Sequence, residues 1–207
     1  MLRLVGTMMA VLAVLLAAAS AKAQARPRRH MGVQLRLEVG PSYLYAFQDV
    51  GEPESVTISG GALGAGLSLG EMVSDDLALN MDLRFARAGG AEHGVRSEAV
   101  FAAVHFGVGL TYWLMPANVY LAASLGAVRS SVEGEPVRIG VEIPNSDSSD
   151  VGLGLHLGAG KLWWVSTRWG LGLGCSLMLS TADNRIGGTD TNRNLVGLGL
   201  SLTTTYH

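Results

Sequence analysis

The sequence predicts an all-β protein: an eight-stranded antiparallel up-and-down transmembrane β-barrel, preceded by a cleaved signal peptide. Three observations predict it. The chain starts with a short positive end, an apolar run and a cluster of small residues. Eight later segments alternate aliphatic residues with glycine, serine and a few polar residues. The connections between those segments alternate between long and short. Composition narrows the field further. Of 207 residues, 28 are glycine and only 15 % are charged, with 48 % hydrophobic, which excludes intrinsic disorder, a coiled coil and an ordinary soluble enzyme. Fifteen Lys+Arg against 17 Asp+Glu leave no basic excess for a nucleic acid.

Taken in order, Met1-Leu2-Arg3 supplies the positive start and Met8 to Ala19 the apolar run. That run of 12 residues is shorter than the ~20 a membrane-spanning helix needs. Ala21-x-Ala23 fits a small-x-small cleavage site, with Ala23-x-Ala25 as the other choice. The organisation expected is a signal peptide at 1–23 cut after Ala23, a short N-terminal segment at 24–30, and a barrel at 31–207. An exported chain with the single cysteine Cys175 has no internal disulfide, so its stability comes from elsewhere.

The alternating columns follow. They are Val33 to Val39, Leu63 to Leu69, Leu77 to Phe85, Val104 to Tyr112, a weaker one at Val119, Leu121 and Leu125, then Val151 to Leu157, Leu171 to Leu179, and Val196 to Leu202. Successive side chains of a strand point to opposite faces, so each segment is a strand with one aliphatic face. Long loops are expected at 46–57, 88–97, 130–150 and 182–194, and short turns at 71–76, 114–118 and 165–168. Four long and three short links place both chain ends on the short-turn side.

A soluble sandwich also alternates, but its second face carries Lys, Glu, Arg and Thr. Here that face is mostly Gly, Ser and Ala. Leucines facing lipid and small residues facing a narrow lumen fit this pattern, since eight strands enclose just enough room for side chains. Closure also removes the sheet edges that lipid would leave unpaired. The aromatics are expected in two interfacial bands. Tyr112, Trp113, Tyr120, Trp163, Trp164, Trp169 and Tyr206 form the short-turn band, and Tyr43, Tyr45, Phe47, Phe85 and Phe101 the long-loop band.

The segment from Gly158 to Leu173, GAGKLWWVSTRWGLGL, resembles a periplasmic hairpin of small bacterial outer-membrane β-barrel proteins of the OmpA/OmpX-like kind. Gly70 to Leu77, GEMVSDDL, is similar to another. The resemblance implies an outer-membrane barrel over residues 31–207, with loops outside the cell and termini in the periplasm. It implies as partners outer-membrane lipid and lipopolysaccharide, and a barrel-assembly machinery that reads the C-terminal strand. In that strand Leu200, Leu202, Thr204 and Tyr206 share a column, and His207 stands last where the family usually ends in an aromatic residue.

No chemistry-bearing motif emerges. The histidines at 30, 93, 105, 156 and 207 have no zinc spacing, and neither His105 nor His156 begins the His-x-Ser that a lipid A deacylase resemblance requires. No enzyme activity, cofactor or metal is expected. The inward polar residues Arg36, Glu38, Asp82, Arg84, His105 and His156 are expected to form a cluster plugging the lumen, because buried charges persist only when paired. Loop 46–57 carries Asp49, Glu52 and Glu54. Loop 130–150 carries Glu133, Glu135, Glu142, Asp147 and Asp150 against Arg138. These acidic tips suit a structural or surface-interaction role with an unidentified partner. Two other readings stay open at this point: a narrow channel for small solutes, and a soluble periplasmic lipocalin-like binder with its leucines turned inward around an apolar ligand.

Overall fold

A computed structural model describes residues 32–49, 55–93, 96–133, 137–139, 141–143, 146–186 and 189–207. The signal peptide, its cleavage at Ala23 and the segment 24–30 lie outside these residues. Eight strands make the wall: β1 (Val33–Asp49), β2 (Ser55–Met72), β3 (Leu77–His93), β4 (Arg96–Leu114), β5 (Val119–Glu133), β6 (Gly152–Trp164), β7 (Trp169–Ile186) and β8 (Thr189–Tyr206). Each pairs antiparallel with the next. β1 also pairs with β8, from Leu35 opposite Tyr206 to Asp49 opposite Asn192, and this closes the ring. Three short strands, Val137–Ile139, Val141–Ile143 and Ser146–Ser148, lie between β5 and β6. The last extends the sheet from the top of β5.

Both ends of the wall, near Val33 and Tyr206, lie at the end that carries the turns 73–76, 115–118 and 165–168. At the other end the strands run much further than their aliphatic columns. Pairing continues to Asp49 opposite Ser55 and to Ile186 opposite Thr189, so most of the loops expected at 46–57, 88–97 and 182–194 are hairpin strand. Alternation marks a strand only where one face is apolar. Backbone hydrogen bonds carry the ladder on past that zone, where the buried inward face is small and apolar at Ala46, Ala88 and Ala182 and the outward aliphatic columns have ended. Gly89-Gly90, within the loop expected at 88–97, is strand instead. It sits in β3 at a bulge, where the register shifts between Ala88 and Ala91 and Gly90 takes a φ of 67°. Pro41 lies within β1, and the β1–β8 pairing skips Gly40 and Pro41 because proline has no N–H to give the ladder.

The faces are assigned without ambiguity. Leu37, Leu67, Leu83, Val108, Leu125, Leu171 and Leu202 are exposed outside, while Gln34, Arg36, Asn80, Asp82, His105 and His156 are buried inside. This overturns the lipocalin-like alternative, which needs the leucines inside. A wall that turns oil outward and ions inward is the inverse of a water-soluble barrel. Cys175 shares the outward parity of Leu171 and Leu173 but is covered by its neighbours.

The aromatics follow the same alternation. Tyr112, Trp163 and Trp169 are exposed on the outside, and Tyr206 packs on Trp169 at 5.2 Å between ring centroids. Trp113 is not an interface residue: it is fully buried in the lumen. Trp164 likewise takes the inward parity and meets His207. The reason is the period of two. Tyr112-Trp113 and Trp163-Trp164 are adjacent pairs, and neighbours on a strand cannot share a face. At the other end Tyr43, Tyr45, Phe47 and Phe85 are exposed outside, whereas Phe101 is buried in the lumen.

Candidate functional site, a layered lumen

The interior is filled in layers, and the register explains each one. Across β1, β2 and β3, Arg36, Ser68 and Asp82 share one row, and Glu38, Gly66 and Arg84 share the next. The first row places a hydroxyl between opposite charges. Ser68 donates to Asp82 and accepts from Arg36 at 3.1 Å. In the second row the middle residue has no side chain. A Cβ at Gly66 would strike the Arg84 side chain, so only glycine lets Arg84 pair with Glu38 over the intervening strand.

Further bonds tie the two rows together. Arg84 reaches Asp82 at 3.3 Å, Arg36 lies 3.5 Å from Glu38, and Asn80 donates to the second Asp82 oxygen at 2.7 Å. Thr111 accepts from Arg36 at 3.1 Å and donates to Asn80 at 3.0 Å. Tyr120 donates to Glu38 at 2.7 Å, and its ring lies under the Arg36 guanidinium at 4.6 Å. Two cations thus meet two anions, and neutral donors and acceptors occupy the remaining sites. That arrangement lets charges persist out of water.

His105 and His156 lie beside this network rather than in it. His105 occupies the Glu38–Arg84 row on β4, and His156 sits on β6. Their rings are 6.4 Å apart, and their nitrogens bond no side chain among the described residues. Among the described residues, no hydroxyl or carboxylate is hydrogen-bonded to either imidazole. Glycines make room for His105: Gly107, Gly126 and Gly154 are side by side on β4, β5 and β6. A Cβ at Gly107 or Gly154 would press on the His105 ring at 2.9 Å. Gly154→Val is therefore expected to lower stability by about 1–3 kcal/mol through overpacking, measured by urea unfolding of the refolded barrel.

Apolar layers close the lumen on both sides. Toward the short turns, Trp113, Tyr120, Ala122 and Leu162 pack together. Trp113 donates to Gln34 at 3.4 Å, and His207 lies against both Trp113 and Trp164. Toward the other end, Leu44, Ile58, Phe101, Val132, Met178 and Leu195 form a second cluster. Above it Arg193, buried, donates to Ser130 at 3.4 Å. Between the layers lies a partly open cavity of about 70 Å³ lined by Glu38, Ser42, Arg84, His156, Ser176 and Ser201, which also reaches Val39, Pro41 and Leu200 of the outward columns.

Of the residues expected in the plug, the structure joins Arg36, Glu38, Asp82 and Arg84. The expectation missed Ser68, Asn80 and Thr111, and it placed Tyr120 in the short-turn aromatic band, whereas Tyr120 is buried in the lumen. Each shares the inward parity of its strand, and that parity was the available signal. Among the acidic loop residues, Glu133 and Asp150 are exposed, while Glu52, Glu54 and Glu135 lie outside the described residues.

No family model and no curated protein matches the sequence. Solved structures do match the fold. Neisserial surface protein A superposes with a TM-score of 0.57 at 17 % identity, covering 84 % of this chain and 96 % of that one. Outer membrane protein AlkL in lipid bilayers gives 0.54 at 13 % identity, over 90 % and 94 %. Outer membrane protein OprG from Pseudomonas aeruginosa gives 0.51 at 12 % identity, over 88 % and 100 %. With its closed ring, short turns at one end and filled lumen, the chain has the fold of the small eight-stranded outer-membrane β-barrels.

Proposed function

We propose that this protein is an integral outer-membrane β-barrel with a structural or surface-interaction role, its long hairpins outside the cell and its termini in the periplasm. One observation carries the reading. The outward columns of every wall strand are apolar, and the charges of the wall are either inside or at its ends. Such a surface is stable in acyl chains and insoluble in water. The outward column Leu200, Leu202, Thr204 and Tyr206 is what the barrel-assembly machinery would read, and the acidic tips suit a partner outside the cell. Carbonate-washed outer membranes should retain the protein, and it should migrate differently in SDS gels before and after boiling. Release into the soluble fraction with no heat shift would overturn the reading.

The partly open cavity of about 70 Å³ between the layers favours one second reading, a narrow channel. It has room for roughly five water molecules, but apolar layers close it on either side. Planar-bilayer recording of the refolded protein is therefore expected to show no single-channel steps. Discrete steps would establish the channel instead.

A further inference from the structure

The outward face of the wall is apolar from Leu79 to Phe85 on β3, from Leu110 to Val104 on β4 and from Leu121 to Ala127 on β5. At the long-hairpin end of that belt two cations follow at once: Arg87 on β3 and Arg129 on β5, both exposed and both of outward parity. They flank β4 on its two sides, Arg87 opposite Ala102 and Arg129 opposite Val104. Two strand spacings across and two residues along put their Cα atoms roughly 12 Å apart. Arg129 is held by Ser148, to which it donates at 3.3 Å. Glu133 lies further up β5, and the exposed Asp183 stands on β7. Among side chains described at this end of the outer face, the cations are confined to the β3–β5 side.

An arginine in this place needs a reason. A cation on the lipid face costs little only near the interface, and its apolar stem can lie on the belt while its head leaves it. The guanidinium fork matches phosphate oxygens in geometry and in charge. We propose that Arg87 and Arg129 form a paired clamp for the phosphates of an anionic glycolipid headgroup in the outer leaflet, a reading that rests on the placement of the barrel in the outer membrane. The span of the pair suits a headgroup bearing two phosphates one disaccharide apart, each taken by one guanidinium. Ala102 and Val104 leave the ground between them clear for the disaccharide, with the acyl chains along the apolar belt.

The test uses the full mature chain, refolded in neutral detergent and mixed with bisphosphorylated diglucosamine lipid, with retained lipid counted by native mass spectrometry. Wild type is expected to retain the lipid. Arg87→Gln and Arg129→Gln should each weaken retention about five-fold, and the double variant roughly 25-fold, the contribution of one basic side chain per step at an anionic membrane surface. The Arg87→Lys/Arg129→Lys variant keeps the charge and loses the fork, so it should fall between; it gives the readout if the glutamine pair does not fold. Asp183→Asn, on the other side of the wall, should bind as wild type. Equal retention by the double glutamine variant, equal retention of the dephosphorylated lipid, or displacement by millimolar inorganic phosphate overturns the clamp. A wild-type chain with no heat-shifted mobility would count against the outer-membrane reading instead.

Discussion

Asp82→Ala is expected to lower the stability of the refolded barrel by about 3–5 kcal/mol, the usual cost of removing one partner from a buried ion pair. Asp82 is 2 % exposed and accepts from Ser68, Asn80 and Arg84. Without it, Arg36 and Arg84 share Glu38 alone. One guanidinium charge is then uncompensated in an interior that apolar layers seal from both ends. The measurement is urea unfolding in lipid vesicles, followed by tryptophan fluorescence. Asp82→Asn, which keeps an acceptor but loses the charge, should fall between. The double change Asp82→Ala with Arg84→Met should recover part of the loss, since it removes the orphaned cation as well. A loss under about 1 kcal/mol for Asp82→Ala would mean that water, rather than the protein, compensates these charges.

The second large effect is on the opposite face. Leu83→Arg is expected to cost about 2–4 kcal/mol, because Leu83 lies near the middle of the outer belt, where an arginine meets only hydrocarbon. Leu83 is 45 % exposed on the isolated chain and is paired with Leu67 and Phe106. The same substitution at Leu114, beside the turn at 115–118, should cost only about 0–1 kcal/mol, since a side chain there reaches water. The depth gradient is what distinguishes a lipid face from a protein interface. Equal costs at the two positions would show that the belt faces something other than a bilayer. Spin labels at Leu83 and Leu200 provide an independent check through their access to dissolved oxygen.

Arginines thus have opposite expected effects according to where they stand. Arg36 and Arg84 are stable in the lumen because Glu38, Asp82 and Ser68 surround them. Arg87, three residues after Arg84, has the opposite parity and is exposed on the outer face. One residue of register is the whole difference, since a strand with period two turns adjacent residues to opposite faces.

What the sequence by itself determined is the period and the sorting. Eight columns of aliphatic residues, backed by glycine and serine, specify strands with one oily face, and the inward parity of Arg36, Glu38, Asp82, Arg84, His105 and His156 follows from counting by two. That information is local, because it depends only on the alternation of side chains along one strand. The tertiary structure alone decided which of those inward residues meet. Gly66 places Glu38 against Arg84, and Ser68 bridges Arg36 and Asp82, only because β1, β2 and β3 pair in one register. Tyr120 reaches Glu38 and Arg36 across the lumen, from β5, which does not pair with their strand β1. Trp113 and Phe101 are lumen residues rather than girdle residues, a point that parity could have revealed but that proximity to strand ends obscured. The extent of the hairpins was also illegible, since beyond the membrane zone the backbone ladder holds without an outward aliphatic column to announce it.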